Sequence, residues 1–130
     1  MNEQSTAGAL ARPTERILVV EDNSDVLGAL CELLTMLDWP YHATQSGEAA
    51  LKAFQTAGNF TILLCDISLP GMSGIELAKK VHSITSQLQI IFMSGYTDLP
   101  AGALNFPFLS LPKPYTLSQL DHVLEKARSS

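Results

Sequence analysis

Five short runs of strand-like and mostly apolar residues recur along this chain, and each stops at a polar residue or a turn. They cover residues 17–20, 41–44, 60–65, 88–93 and 108–111. Apolar residues at helical spacing lie between most of them. Short apolar strands alternating with amphipathic helices are typical of a parallel sheet covered on both faces, because parallel strands need long crossovers. The sequence therefore predicts an α/β fold of five strand–helix units, doubly wound by right-handed crossovers.

Helix start signals follow four of the five runs. Asn23 or Ser24 suits the cap of the first helix, Ser46 and Gly47 open the second, and Thr116 suits the cap of the last. A third helical pattern begins after the glycine-rich turn that follows Asp66. The remaining segment, from 98 to 104, is short and rich in glycine and proline, which predicts a short or distorted fourth helix.

Composition favours one compact domain. The chain has 130 residues, of which 46% are hydrophobic and 16% charged. We expect a flexible tail at 1–15 and a folded domain at 16–130. The net charge of −5 and the lack of a basic run argue against a nucleic-acid binder. The two cysteines, Cys31 and Cys65, form no disulfide framework or zinc motif, and the lack of a long apolar span predicts a cytoplasmic protein without membrane contact.

The polar residues that follow the apolar runs are the candidates for chemistry. Glu21 and Asp22 follow the first run, Asp66 the third, Ser94 the fourth and Lys113 the fifth. The carboxyl ends of parallel strands share one edge of a sheet, where α/β proteins place ligands. The sequence therefore predicts that three carboxylates, one hydroxyl and one ammonium converge at a single rim.

These groups suit phosphoryl transfer. Clustered carboxylates repel one another unless a cation neutralises them. An all-oxygen set with few protein ligands suits Mg²⁺, which keeps several waters and shares phosphate oxygens. A lysine and a hydroxyl suit the remaining phosphoryl oxygens. Because no activated His, Cys or Ser accompanies them, Asp66 is the natural acceptor and would form an acyl phosphate.

Each residue taken alone also has an ordinary structural explanation. Glu21 and Asp22 suit a solvated loop or the positive end of a helix dipole. Ser94 suits a turn, and Lys113 suits a solvated surface. Their joint placement after four separate strands favours the functional interpretation, because agreement among distant segments is hard to reach by chance.

Four blocks of the sequence carry a family resemblance: ILVVEDN, LLCDISLPGMSGIEL, IIFMSGYTD and LPKPYTLSQL. From about Arg16 to Arg128 the chain resembles the receiver domains of two-component response regulators. The segments SGYTD and LPKPY are especially similar in sequence to those of receivers attached to hybrid histidine kinases. The resemblance implies a flavodoxin-like sheet of strand order 2-1-3-4-5 in a bacterial signalling protein.

The resemblance implies a phosphoacceptor and a metal site. Asp66 resembles the phosphoacceptor, which also contacts the Mg²⁺ ion. Asp22 resembles the acid that binds the ion directly, and Glu21 resembles the acid that binds it through water. The backbone carbonyl of Ser68 resembles the third protein ligand.

Other positions resemble residues that respond to the phosphoryl group. Ser94 resembles the switch hydroxyl, and Lys113 resembles the lysine that pairs with the phosphoryl group. The corresponding Lys–Pro peptide bond of the family is cis, so the resemblance implies a cis bond between Lys113 and Pro114. Ser68 and Tyr96 stand where the family tunes the lifetime of the acyl phosphate, and the bulk of Tyr96 predicts slow self-hydrolysis.

The fifth strand departs from the family pattern. A Tyr or Phe usually lies three residues before the lysine, and here that position is Ser110. Phe108 lies two residues earlier on the same face, because side chains alternate along a strand. Either Phe108 replaces the aromatic switch, or the switch is missing.

The resulting hypothesis is a receiver domain in a phosphorelay. A sensor histidine kinase or a histidine phosphotransfer protein would donate to Asp66, and the domain would assist its own phosphorylation and dephosphorylation without being an enzyme. Since no effector domain follows Ser130, we expect output through an unidentified downstream protein. The alternatives are a pseudo-receiver scaffold without phosphorylation and an aspartate-based phosphohydrolase, which would need a second acid where Ser68 stands. A flavin-binding alternative lacks a phosphate-cradling loop after the first strand.

Overall fold

The computed structural model of the chain describes residues 15–57, 59–94 and 104–129. The strands in this part are β1 (Ile17–Val20), β2 (Tyr41–Thr44), β3 (Ile62–Asp66), β4 (Gln89–Ser94) and β5 (Leu109–Pro112). The helices are α1 (Ser24–Met36), α2 (Gly47–Ala57), α3 (Gly74–Ile84) and α4 (Leu117–Arg128). The predicted tail up to residue 14, and the distorted helix predicted at 98–104 except for its last residue, lie outside the described residues.

The five strands form one parallel sheet in the order β2-β1-β3-β4-β5. This confirms the flavodoxin-like order 2-1-3-4-5. In the register, Val20 of β1 pairs with Cys65 of β3, and Asp66 pairs with Met93 of β4. The carboxyl ends of these strands therefore lie side by side at one edge of the sheet.

Helices cover both faces of the sheet, as predicted. Ile17 and Val19 of β1 face α1 and α4, whereas Leu18 and Val20 face α2 and α3. All four residues of β1 are completely buried. Burial on both faces explains why the central strands are continuous apolar runs instead of alternating patterns.

Side-chain caps begin all four helices of the described residues, and at α2 Ser46 accepts a hydrogen bond from the backbone N–H of Ala49. Asn23 accepts hydrogen bonds from the backbone N–H groups of the first turn of α1. Ser73 with Glu76, and Thr116 with Gln119, form capping boxes at α3 and α4. Each cap satisfies N–H groups that have no partner within the helix. The caps at Asn23, Ser46 and Thr116 confirm three predicted helix starts.

Some predicted positions were wrong by a small amount. Strands β3, β4 and β5 begin one or two residues later than the apolar runs and extend to the polar or proline residue that follows them. Val26 lies at helical spacing with the apolar residues of α1, which predicts that it faces the sheet, but it is 38% exposed. The stripe that faces the sheet is formed instead by Leu30 and Leu34, which are buried. Within the described residues, no helix is long and apolar enough to cross a membrane.

Candidate functional site

The structure brings the three predicted acids together at the carboxyl edge of the sheet. Glu21 and Asp22 directly follow β1, and Asp66 is the last residue of the neighbouring strand β3. One carboxylate oxygen from each residue lies within 4.8 Å of the others. Because β1 and β3 are parallel neighbours in register, acids 44 and 45 residues apart in sequence meet at one rim.

Lys113 supplies the cation of this cluster. Its Nζ lies 2.9 Å from Oε1 of Glu21 and 3.0 Å from Oδ2 of Asp66. The residue directly follows β5, and its backbone N–H donates to the carbonyl oxygen of Ser94 at the end of β4. The lysine side chain therefore spans the end of β4 to reach acids on the central strands. Its peptide bond to Pro114 is cis, as the resemblance implied.

Burial and the ion pairs set the charge of this cluster. The side chain of Glu21 is 3% exposed, and its burial raises its pKa, although hydrogen bonds from Lys113 and from the N–H of Asn23 partly oppose that rise. Burial lowers the pKa of Lys113, but hydrogen bonds to Glu21 and Asp66 outweigh this effect and leave the pKa raised. The ammonium group therefore stays charged at neutral pH and neutralises part of the acidic cluster.

The donor set fits a small hard cation. Octahedral Mg²⁺ binds oxygen atoms at about 2.1 Å, so two ligands on opposite sides lie roughly 4.2 Å apart. One oxygen of each of the three carboxylates lies within 4.8 Å of the others, which is compatible with such a spacing. Asp22 is exposed and Asp66 is half-buried, so the rim is open to a hydrated ion. The residues present therefore match the Mg²⁺ chemistry that the sequence predicted.

The other predicted site residues lie at different distances from this cluster. Ser68 is exposed, and its backbone N–H donates to Oδ1 of Asp66 over 3.1 Å. Ser94 is the last residue of β4 and is half-buried. Since Asp66 pairs with Met93 in the sheet, Ser94 lies one residue further toward the rim. Tyr96 lies outside the described residues.

Phe108 precedes β5 instead of lying within it. Its ring packs edge-on against Phe92 of β4, with the ring centroids 5.5 Å apart. Phe92 pairs with Ser110 in the sheet, so Phe108 and Ser110 share a face, as the alternation predicted. Phe108 keeps 36% of its surface exposed, and Ser110 is exposed. An aromatic ring is therefore present on this face, but it lies before the strand.

Sequence reasoning missed two residues that shape the loop after Asp66. Gly74 opens α3 so close to β3 that a Cβ atom there would overlap the carbonyl oxygen of Asp66. The glycine at the start of a helix was a visible signal for this contact. Glu48, in the first turn of α2, accepts a hydrogen bond from the backbone N–H of Met72 over 3.1 Å. No local pattern indicates that second contact, because its partners are 24 residues apart.

Comparison with known sequences adds an independent line of evidence. A model of the response regulator receiver domain matches residues 17–125. The response regulator receiver protein CpdR of Brucella abortus is 36% identical over 122 residues, covering 86% of this chain and 95% of CpdR. The sensor kinase CckA of the same species is 32% identical over 109 residues, covering 80% of this chain and only 11% of CckA.

Solved structures with the same fold agree with these matches. A CheY-like response regulator receiver domain from Methylobacillus flagellatus has a TM-score of 0.78 and 28% identity, covering 87% of this chain and 98% of its own. A chain in the complex of histidine kinase ThkA with response regulator protein TrrA has a TM-score of 0.77 and 27% identity, covering 87% of this chain and 97% of its own. The chain therefore belongs to the response regulator receiver domain family of two-component signalling.

Proposed function

We propose that this chain accepts a phosphoryl group on Asp66 from a phosphohistidine of a sensor histidine kinase or a histidine phosphotransfer protein. The arrangement of charged groups around the Asp66 carboxylate supports this proposal. This carboxylate lies between two other carboxylates and one ammonium group, and Lys113 contacts both Glu21 and Asp66. An acceptor for a phosphoryl group needs such positioned charges more than it needs a strong base.

The same residues would hold Mg²⁺. Asp22, Asp66 and the backbone carbonyl of Ser68 would contact the ion directly, and Glu21 would contact it through water. When bound, the ion would neutralise charge on the phosphoryl oxygens as they approach the carboxylates. The cluster of carboxylate oxygens and the open side of the rim at Asp22 support this assignment.

The transfer itself is a displacement at phosphorus. An Oδ atom of Asp66 attacks the phosphorus atom, and a new O–P bond forms while the P–N bond of the phosphohistidine breaks. The electron pair of the P–N bond stays on the imidazole nitrogen, which takes a proton from solvent. Lys113 already contacts Asp66, so its ammonium group is placed to pair with a phosphoryl oxygen as the negative charge arrives.

Phosphorylation would then shift the rim between two arrangements. A phosphoryl group adds about 1.5 to 2 negative charges. Lys113 and the hydroxyl of Ser94 would turn toward these charges, and the loops after β3 and β4 would follow. Phe108 would serve as the aromatic that responds to this change, and Ser68 and Tyr96 would set the lifetime of the acyl phosphate. The output would be an altered contact of the receiver unit, residues 16–130, with a downstream protein.

A second acid would favour the phosphohydrolase alternative, but the residue two positions after Asp66 is Ser68. Its backbone N–H, instead of a carboxyl group, lies beside the Asp66 carboxylate. The chain therefore offers no general acid at the place where an aspartate-based phosphohydrolase needs one. We favour a phosphoacceptor in the cytoplasm that signals through protein contacts.

Labelling with acetyl phosphate and Mg²⁺ tests the proposal. We expect intact-mass spectrometry to show one added phosphoryl group on the wild type and none on Asp66→Asn. Asp25→Asn is the matched control, because Asp25 is an exposed acid in the first turn of α1. Labelling of Asp66→Asn would place the acceptor elsewhere. Failure of the wild type and the control to label would favour the scaffold without phosphorylation.

A further inference from the structure

The loop between Asp66 and α3 is fixed at both ends by backbone hydrogen bonds. At its start, the N–H of Ile67 donates to the carbonyl oxygen of Met93 over 3.2 Å. At its end, the N–H of Gly74 donates to the carbonyl oxygen of Ile67 over 3.1 Å. Neither bond reaches residues 68–72 in the middle of the loop. Apart from the hydrogen bond of the Ser68 N–H to Asp66, the orientation of the Ser68 carbonyl therefore depends on the contacts that hold this middle part.

Glu48 reaches the middle of the loop from α2. Its Oε2 atom lies 3.1 Å from the N–H nitrogen of Met72. Gly71 has a φ of +72°, and a Cβ atom added to it would lie 2.7 Å from the same Oε2 atom. The Glu48 carboxylate thus packs closely against the turn at Gly71 and accepts a hydrogen bond from the N–H group of the next residue, Met72.

The backbone of α2 also approaches the loop closely. A Cβ atom on Gly47 would lie 2.9 Å from the carbonyl oxygen of Met72 and 3.1 Å from its Cβ atom. The Met72 side chain packs against the core between the sheet and α2 and α3. The first turn of α2 therefore contacts Met72 in two ways. Gly47 packs closely against Met72, and Glu48 accepts a hydrogen bond from its N–H group.

We propose that Glu48 is a positioning residue for the metal site, acting through the Met72 N–H on the loop that carries the Ser68 carbonyl. This inference rests on the proposed function, in which that carbonyl is an Mg²⁺ ligand. Only three residues separate Ser68 from Met72. Holding Met72 limits the ways in which the Ser68 peptide can rotate, while the Ser68 N–H bond to Oδ1 of Asp66 fixes it from the other side. Groups behind the ligands that orient them commonly control metal affinity.

Two other effects of Glu48 must be separated from positioning. A carboxylate in the first turn of α2 interacts favourably with the helix dipole and so stabilises the helix. This effect would change the stability of the fold but not its Mg²⁺ affinity. A negative charge near the rim would also attract Mg²⁺ through space. Glu48→Gln removes the charge but keeps an oxygen that can accept from Met72, whereas Glu48→Ala removes both. Glu32→Ala removes a carboxylate from an exposed position on α1 and serves as the matched control.

Isothermal titration of each variant with MgCl₂ alone tests the inference. We expect Glu48→Ala to bind Mg²⁺ about 3- to 10-fold more weakly than wild type, which is the effect of one net hydrogen bond. Glu48→Gln and Glu32→Ala are expected to stay within about twofold of wild type. Equal weakening in Glu48→Gln and Glu48→Ala would show a charge effect and overturn the positioning role. Wild-type affinity in Glu48→Ala would also overturn it, and would leave the phosphoacceptor proposal intact.

Amide hydrogen exchange in metal-free protein provides a second readout. Glu48→Ala is expected to speed exchange of the Met72 N–H and to leave the N–H of Leu77, inside α3, at the wild-type rate. Faster exchange at both amides would indicate general loosening of α3 and would contradict a local effect. If wild type binds no Mg²⁺, the proposed metal site fails and this inference fails with it.

Discussion

At the scale of single residues, the site depends on one buried carboxylate and the cation opposite it. The side chain of Glu21 is nearly excluded from solvent, and removing a charged group from water is costly unless a partner compensates it. Lys113 gives that compensation and contacts Asp66 at the same time. The cation therefore has a structural role in the metal-free protein, in addition to its proposed role beside the phosphoryl group.

Removing this cation should destabilise the metal-free protein. We expect Lys113→Ala to lower the free energy of unfolding by about 1–3 kcal/mol, because Glu21 loses a hydrogen-bonded partner. Partial exposure of Lys113 keeps the loss below that of a fully buried pair. Urea denaturation in the presence of a chelator measures the change. Lys52→Ala, at an exposed position on α2, is the control, and an equal effect of the two substitutions would contradict this role.

The effect of Lys113→Ala should depend on pH in a defined direction. Burial raises the pKa of Glu21 above its ordinary 4.5. As the pH falls through that raised pKa, Glu21 takes up a proton and becomes neutral. The difference in the free energy of unfolding between wild type and Lys113→Ala should therefore shrink. The raised pKa of Lys113 means that its contribution is complete at neutral pH and is lost only when the pH rises through that value. Denaturation curves that show a constant difference from pH 7 to about pH 4 would contradict this prediction.

The two thiols should differ in reactivity. Burial raises the pKa of Cys65, and the neighbouring charges of Asp66 and Glu21 raise it further. Burial also raises the pKa of Cys31, which is only half-buried in α1. Because the thiolate is the reactive form, we expect iodoacetamide to label Cys31 slowly and Cys65 not at all in the folded protein. Peptide mapping with and without denaturant gives the measurement, and labelling of Cys65 in the folded protein would show that β3 opens.

At the scale of elements, β3, its loop and α3 form the unit that positions Asp66. The close approach of Gly74 to the Asp66 carbonyl joins the start of α3 to the end of β3. The capping box of Ser73 and Glu76 fixes the first turn of the same helix. A change at this junction therefore acts on Asp66, the proposed phosphoacceptor, without altering its carboxylate.

Two glycine substitutions distinguish the steric contact at this junction from the general effect of glycine on helix stability. Gly74→Ala should destabilise the protein by about 1–3 kcal/mol, because its Cβ atom would force the helix away from Asp66. Gly28 lies within α1 with nothing within 4 Å of an added Cβ atom. Gly28→Ala should therefore stabilise the protein by up to about 1 kcal/mol. Thermal denaturation of both variants tests the pair, and a neutral or stabilising Gly74→Ala would contradict the close contact.

The sequence predicted most of this architecture because the relevant signals are local. Buried runs such as Ile17–Val20 and caps such as Asn23 and Thr116 lie within a few residues of the structure they specify. Strand ends were less accurate, since pairing with a neighbour decides where a strand starts and stops. The contact of Glu48 with Met72 could not be predicted, because it depends on how α2 packs against a distant loop.

At the scale of the whole molecule, strand order brings the acids together. Glu21 and Asp22 would not meet Asp66 unless β1 and β3 were parallel neighbours, as the sheet order β2-β1-β3-β4-β5 makes them. The expectation that the rim forms came from the rule that parallel strands end at the same edge. That rule could not predict the ion pairs of Lys113 with two separate acids, because these ion pairs depend on the path of one side chain across β4.

Mg²⁺ should stabilise the whole fold by mass action, since the three acids are assembled only in the folded chain. At an Mg²⁺ concentration of about 100 times the dissociation constant, the gain should be about 2.7 kcal/mol. Asp22→Asn should remove most of that gain, and Asp25→Asn should keep it. Thermal denaturation with and without a chelator measures the difference. A gain of equal size in Asp22→Asn would place the ion away from the rim.

A crystal structure of the wild type with Mn²⁺ in place of Mg²⁺ would show whether the rim binds a metal ion, because the anomalous signal locates the ion. We expect one strong peak between the carboxylates of Asp22 and Asp66, within bonding distance of the Ser68 carbonyl oxygen. A peak at another site, or a rim in which Lys113 still bridges Glu21 and Asp66 with no ion beside them, would contradict this expectation.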